Sequence, residues 1–152
     1  MSFLFATSTA AKAGATAATS GASFVILPAI LFGLVISLVE MIFVHQDERG
    51  MGWMAHGLHA VPVTIMFTFI TMNVPWAMSL VPNFSYASWM EPLVIFIVGI
   101  IAMGKVLAAA AIAGRVGEKK IHVLIIGLLI IAAPYAWKFV LKGIIGPLLP
   151  FQ

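Results

Sequence analysis

Four long apolar stretches, almost free of charged residues, are the feature that most constrains the fold of this chain. They lie at about 24–45, 53–80, 92–114 and 121–141. A transmembrane α-helix needs about 20 mostly apolar residues, and each stretch reaches that length. The stretches lack the strict apolar–polar alternation of a membrane β-strand, which favours helices over a barrel. The sequence therefore predicts an all-α, multi-pass membrane protein of about four transmembrane helices.

The amino-acid composition leads to the same fold class and excludes several functions. Of the 152 residues, 62% are hydrophobic and 9% are charged, whereas a soluble domain carries roughly 25% charged residues. The absence of cysteine excludes disulfides, thiolate metal sites and thiol nucleophiles. The basic residues are scattered along the chain and form no stripe that would follow a nucleic-acid backbone. We expect membrane lipids as partners and no nucleic acid.

The predicted helices form two hairpins within residues 23–142. Tight polar turns near 46–50 and 116–120 join the helices of each hairpin, and we call the end of the bundle that holds these turns the A end. Both termini and the segment 75–91 are expected at the opposite end, the B end. Residues 1–22, rich in Ala, Thr and Ser, are predicted to be retained and to pack within an oligomer or larger complex. Residues 143–152 are predicted to form an apolar tail at the membrane interface.

Tryptophan rings favour the two interfaces between membrane and water, so we expect them to anchor both ends of the bundle. One falls at the predicted A end and three at the B end: Trp53, then Trp76, Trp89 and Trp137. Basic residues favour the cytoplasmic side of a membrane. The A end holds Arg49, Arg115, Lys119 and Lys120, against Lys12, Lys138 and Lys142 at the B end. This small excess predicts a cytoplasmic A end.

Two charged residues fall inside the predicted transmembrane helices. Glu40 lies about two turns from the A end of the first helix, and Lys105 lies well inside the third. A charge at that depth is costly unless it is paired or neutralised. We therefore predict an ion pair between Glu40 and Lys105, with His59 nearby, which would either lock two helices together or form part of a proton or ion path. The alternative is a protonated Glu40 and a Lys105 that reaches up to the headgroups.

The first hairpin also carries a cluster of possible metal ligands, His45, Asp47, His56 and His59. Zinc binds nitrogen and oxygen atoms at about 2.0–2.2 Å, and His56 and His59 share one helical face. No H-E-x-x-H sequence or comparable zinc signature is present. The alternative is a polar turn at the membrane surface, in which Asp47 lies near the positive N-terminus of the second helix.

Small residues indicate where helices can approach one another closely. Gly33 and Ser37 share the face of Glu40 on the first helix, and Gly104 and Ala108 form a smooth flank on the third. The second helix carries a series of polar residues: Thr64, Thr68, Thr71 and Asn73. Such side chains more often form hydrogen bonds between helices than bind a substrate.

These observations favour a non-catalytic membrane subunit that forms a homo-oligomer or packs with other membrane subunits. No nucleophile elbow, phosphate-binding glycine loop or pair of catalytic carboxylates can be assembled, so an enzyme would have to work inside the bilayer. Two alternatives stay open. One is a small channel or proton-coupled transporter that uses Glu40, Lys105 and His59, and the other is an intramembrane metal-binding protein.

Overall fold

The computed structural model describes residues 24–47, 53–112 and 119–149, with the side chains of 53, 55, 56, 59 and 109–112 left out. That part of the chain is helical and contains no strand. The long helices are α1 (Ile26–Asp47), α2 (Trp53–Met72), α4 (Glu91–Ile112) and α5 (Lys120–Ala136). A short helix α3 (Val74–Ser79) follows α2, a 3-10 turn (Ser88–Met90) precedes α4, and a π-helical turn (Trp137–Leu141), α6 (Lys142–Ile145) and a 3-10 turn (Gly146–Leu148) follow α5.

Three helical stretches are long and apolar enough to cross a membrane. They are Ile26–Asp47, Ser88–Ala108 and Lys120–Leu148, and a shorter apolar stretch, Ala60–Met72, lies within α2. Many large apolar side chains point away from the helix bundle, such as Val35, which is 61% exposed, and Phe96, which is 55% exposed. A soluble protein rarely leaves so large an apolar surface in contact with water.

The second predicted stretch is interrupted at Asn73, where the sequence predicts one continuous helix over 53–80. Asn73 leaves the helical conformation, with φ −129° and ψ 42°, and α3 begins at the next residue. Proline at the second position of α3 explains the break, because Pro75 has no N–H to donate and its ring clashes with the carbonyl of Thr71, four residues earlier. The last helix, by contrast, continues past the predicted end at 141, through the π-helical turn and on to Leu148.

Helix α1 packs mainly on α2 and also on α5, whereas α4 packs on α5 and α2. The two helices of the first hairpin meet closely at a glycine: a Cβ added to Gly33 would lie 2.8 Å from the Cα of Ile65. Glycines also bring α4 and α5 together, since Gly99 faces Ile131 and Gly127 faces Met103. The buried core is a cluster of Ile36, Phe67, Ala102, Ile126, Ile130 and Ala133.

Candidate functional site

A buried carboxyl group lies between α1 and α2. Glu40 is only 5% exposed, and its Oε2 accepts a hydrogen bond from the hydroxyl of Thr64, which is 2% exposed. Helical side chains lean toward the N-terminus of their own helix. Because the two helices are antiparallel, Glu40 leans toward the B end and Thr64 toward the A end, so that the two groups meet inside the bundle. Glu40 is seven residues from the end of α1 at Asp47, about 10 Å along the axis.

The structure does not bring Lys105 to this carboxyl group, and the predicted ion pair between Glu40 and Lys105 does not form. Lys105 is exposed on α4, whose main neighbours are α5 and α2 rather than α1. The buried face of α4 consists of Ile95, Gly99, Ala102 and Val106, and Lys105 falls outside it. The side chain of His59 lies outside the described residues, so its predicted place near Glu40 stays a prediction.

A row of buried polar side chains continues from Thr64 along α2. Thr68 and Thr71 follow at one-turn intervals and are 0% and 1% exposed. The hydroxyl of Thr71 donates to the carbonyl oxygens of Thr68, at 3.0 Å, and of Ile130 on α5, at 3.3 Å. The hydroxyl of Thr68 has no hydrogen-bond partner within the described residues. This row therefore contains one buried hydroxyl that is free to form a hydrogen bond.

Asn73, at the end of this row, fastens the start of α1 to α2. Its Oδ1 accepts a hydrogen bond from the backbone N–H of Val25 at 2.8 Å. Its Nδ2 donates to the carbonyl oxygens of Val25, at 3.2 Å, and of Phe69, at 2.9 Å. The break in the helix after Met72 leaves Asn73 in position to satisfy backbone groups of two helices. The side chain is thus a structural clamp.

A cavity of about 240 Å³ opens beside Asn73 at the B end. Its walls come from the two residues before α1, from α2, α3 and α4, and from α5 with the π-helical turn and α6. They include Phe24, Trp76, Glu91, Trp137, Lys138 and Lys142. The rings of Phe24 and Trp76, which line it, pack edge to face with each other and with Phe69, with centroids 5.4–5.5 Å apart. Tyr86, outside the helices, has a raised pKa because its hydroxyl is buried and because the Glu91 carboxylate is near.

At the A end, Asp47 ties α1 to the start of α5. Its Oδ2 lies 2.6 Å from Nδ1 of His122 and accepts a hydrogen bond from the backbone N–H of Lys119 at 2.9 Å. The Lys119 ammonium lies 3.4 Å from Oδ1. The His122 ring stacks on Phe43, with centroids 4.2 Å apart. The sequence analysis missed this contact between distant residues, for which no local sequence signal exists.

The described side chains of the first hairpin do not form a complete metal site. Among the residues whose side chains are described, no three of the His, Asp and Glu side chains converge. Asp47 is engaged by His122 and Lys119, and His45 is half-buried on α1. The side chains of His56 and His59 lie outside the described residues, so metal binding by the first hairpin stays a prediction.

The four tryptophans have different environments. Trp89 is 71% exposed, as an interfacial anchor would be, and Trp76 is half-buried against Phe24 and Phe69. Trp137 is only 9% exposed, because it packs into the bundle and lines the B-end cavity. Trp137 is thus at the predicted B end but turned into the bundle, and its role as an interfacial anchor stays a prediction. The side chain of Trp53 is not among those described.

The predicted packing residues fall into two groups. Gly33 and Ser37 are both buried on α1, where Gly33 meets Ile65 and the hydroxyl of Ser37 donates to the carbonyl of Leu34 at 2.8 Å. Gly104 and Ala108 are exposed on α4, and nothing lies within 4 Å of a Cβ added to Gly104. The first group packs within the bundle, and the second is left uncovered by the described residues.

The chain matches no protein-family model, no curated protein sequence and no solved structure.

Proposed function

We propose that the protein is a non-catalytic, multi-pass integral membrane subunit that assembles with another membrane protein through an exposed face of α4. In this proposal α2 is the fourth transmembrane helix, since its 20 residues span about 30 Å. The termini and the cavity face one side of the membrane. The A end, with Arg49, Arg115, Lys119 and Lys120, faces the cytoplasm.

The observation that carries the proposal is the uncovered face of α4 around Lys105. Ile101, Gly104, Lys105 and Ala108 follow the spacing of one helical face, and all four are exposed. The space above Gly104 is open. Small residues on a transmembrane helix allow another helix to approach closely, and the resulting van der Waals packing is one of the forces that drive helix association in lipid. This face has the shape of a helix-packing surface and no partner in the described chain.

The charge of Lys105 indicates the chemistry of the partner. In the described structure its ammonium group makes no ion pair or hydrogen bond, and the last described residue of α4, Ile112, is seven residues away, about 10 Å along the axis. An unpaired cation costs about 3 kcal/mol at the centre of a transmembrane helix and less toward its end, where Lys105 lies. A partner with a carboxylate at the same depth would remove this cost. We therefore expect an acidic or strongly polar side chain in the transmembrane helix of the partner.

A second copy of the chain fits this face poorly. Of the acidic side chains that are described, Glu40 is buried, Asp47 is held by His122 and Lys119, and Glu91 lies at the B end. Two copies in the same membrane orientation that met through α4 would also bring their Lys105 ammonium groups together. Like charges at close range disfavour the contact, so the partner is a different protein.

The test is the mass of the particle purified from its native membrane in mild detergent, with co-purifying proteins identified. We expect a complex with a second membrane protein, which Lys105→Gln weakens and Gly104→Leu disrupts. Lys120→Gln and Gly143→Leu are matched controls, since Lys120 is an exposed lysine off this face and Gly143 an exposed glycine with open space above it. A homo-oligomer, or a monomer that holds only phospholipid, would contradict the proposal.

A small channel or proton-coupled transporter is the second candidate function. The buried Glu40 carboxyl and the threonine row on α2 favour it, because ionisable groups inside transmembrane segments often mark ion or proton paths. Lys105 is no longer part of such a path, since it lies outside the bundle. Ion-flux measurements on liposomes, with Glu40→Gln as the variant and Glu91→Gln as the control, separate this candidate from the first.

A further inference from the structure

The buried carboxyl group of Glu40 has no ion pair with Lys105, so something else must compensate or remove its negative charge. The carboxyl group is almost completely buried, and its hydrogen-bond partner in the described structure is the neutral hydroxyl of Thr64. A single neutral hydrogen bond offsets only a small part of the cost of moving an ionised carboxylate from water into an apolar interior. The carboxyl group therefore needs either a nearby cation or a proton of its own.

The elements that pack on α1 supply no cation to Glu40 within the described residues. On α1 itself, Asp47 is held at the A end by His122 and Lys119, and His45 lies beyond Phe43 toward that end. On the α5 side, Lys120 is exposed at the A end, and Lys138 lines the cavity at the B end. Helix α2 carries His56 and His59, whose side chains are not described. Within the described residues, the polar contact of Glu40 is its hydrogen bond with Thr64.

A metal ion does not fit the position either. Hard cations such as calcium take six to eight oxygen ligands, usually with several carboxylates, and no three His, Asp or Glu side chains converge in the described part of the chain. A proton needs no such ligand shell, because it binds covalently to one carboxyl oxygen. The neutral acid can then accept the hydrogen bond from Thr64 and still donate one.

Thr68, one turn further along α2, has a buried hydroxyl group that is not engaged in a hydrogen bond in the described structure. It is 0% exposed, and its hydroxyl is without a hydrogen-bond partner among the described residues. It lies one helical turn from Thr64 on the same face of α2, toward the B-end cavity. Buried hydroxyls are normally hydrogen-bonded. The Thr68 hydroxyl, one turn from the partner of Glu40, is therefore available to bind a further hydrogen-bonding group.

From this geometry we infer that Glu40, Thr64 and Thr68 form a proton-binding site inside the bundle, in which Glu40 is held as the neutral carboxylic acid. Thr64 orients the carboxyl group, and Thr68 offers the next hydrogen-bonding group toward the B end. The inference is independent of the partner proposed for α4, because the site lies between α1 and α2 and Lys105 takes no part in it.

The test uses dicyclohexylcarbodiimide, an apolar reagent that enters membranes and reacts with protonated carboxyl groups. The acid transfers its proton to a carbodiimide nitrogen while its oxygen bonds to the central carbon, and an acyl shift to nitrogen then gives a stable acylurea without further reactants. The full-length protein in liposomes is treated at neutral pH, digested and mapped by mass spectrometry. We expect the adduct on Glu40 of the unmodified chain, so the result does not depend on how any variant folds.

Two variants and a second method sharpen the result. Glu40→Gln removes the adduct, whereas Glu91→Gln, which changes a carboxyl group at the B-end cavity, leaves it unchanged. Infrared difference spectra between the unmodified chain and Glu40→Gln are expected to show the carbonyl band of a protonated carboxyl group at neutral pH. An unlabelled Glu40, together with the two bands of an ionised carboxylate in that difference spectrum, would overturn the inference.

Discussion

The two charged residues inside the apolar helices, Glu40 on α1 and Lys105 on α4, have opposite environments. Glu40 is turned into the helix pair α1–α2 and hydrogen-bonded to Thr64 there. Lys105 points away from the bundle and has no partner in the described structure. The chain therefore provides a hydrogen-bond partner for Glu40 within its own bundle, whereas it provides none for Lys105 among the described residues. The first arrangement stabilises the fold of one chain, whereas the second needs lipid headgroups or another protein.

The same contrast holds for the glycines near these two residues. A Cβ on Gly33 would lie 2.8 Å from the backbone of Ile65, whereas a Cβ on Gly104 would meet nothing within 4 Å. The α1–α2 contact is therefore closed, and the outer face of α4 is open. Substitutions that fill space or remove hydrogen bonds should have large effects on the first surface and small effects on the second.

The largest effect is expected from Gly33→Leu. The new side chain would have to displace the backbone of α2 at Ile65, and overpacking of this kind lowers the free energy of unfolding by about 3 kcal/mol or more. Gly104→Leu is the matched control, with an expected change below about 0.5 kcal/mol in the isolated chain. Unfolding in detergent, followed by circular dichroism, gives both values. Equal losses for the two variants would show that the α4 face is not open.

The next largest effect is expected from Asn73→Ala. This variant removes three hydrogen bonds that join Val25, Phe69 and the end of α2, and leaves partly buried backbone groups unsatisfied, at a cost of about 2 kcal/mol. Asn83→Gly is the control, because Asn83 is exposed and its φ of 60° suits glycine. Hydrogen exchange should show faster opening at the start of α1 for Asn73→Ala only. Unchanged exchange there would exclude the clamp.

The helices themselves and the inward direction of Glu40 could be predicted from the sequence. The length of each apolar stretch predicts a helix. Gly33 and Ser37 precede Glu40 by seven and three residues, so they share its face, and their small side chains let a neighbouring helix approach there. The direction of Lys105 could not be predicted in the same way. Helix α4 has small residues on more than one face, and spacing does not tell whether Ala102 or Ala108 faces the core.

Contacts between helices distant in sequence were also beyond prediction. Asp47 and His122 are 75 residues apart, and their contact depends on α1 lying beside α5. Nothing in the composition of either helix specifies that neighbour, because almost every face of these helices is apolar. The sequence instead grouped Asp47 with His45, His56 and His59 in a possible metal site, because these residues belong to one predicted hairpin.

A smaller effect is expected from Asp47→Asn. The variant weakens the contacts of Asp47 with His122 and Lys119 at the A end, and we expect a loss of about 1 kcal/mol, as for a charged hydrogen bond near a surface. His122→Gln should give a similar loss. Because both variants remove the same contact, the double variant should lose less than the sum of the two. Additive losses in the double-mutant cycle would show that the two side chains do not interact.

The smallest effect is expected from Lys105→Gln in the isolated chain, and this variant tests the comparison of the two charges directly. If Lys105 is outside the bundle, its removal should change the free energy of unfolding by less than about 0.5 kcal/mol. A buried ion pair with Glu40 would instead make the loss about 3 kcal/mol or more, because Glu40 would be left as an unpaired buried charge. In that case Glu40→Gln in the same chain would restore much of the stability. With the arrangement described above, the effects of Glu40→Gln and Lys105→Gln are expected to be small and additive, and only the co-purification of a partner should respond to the loss of Lys105.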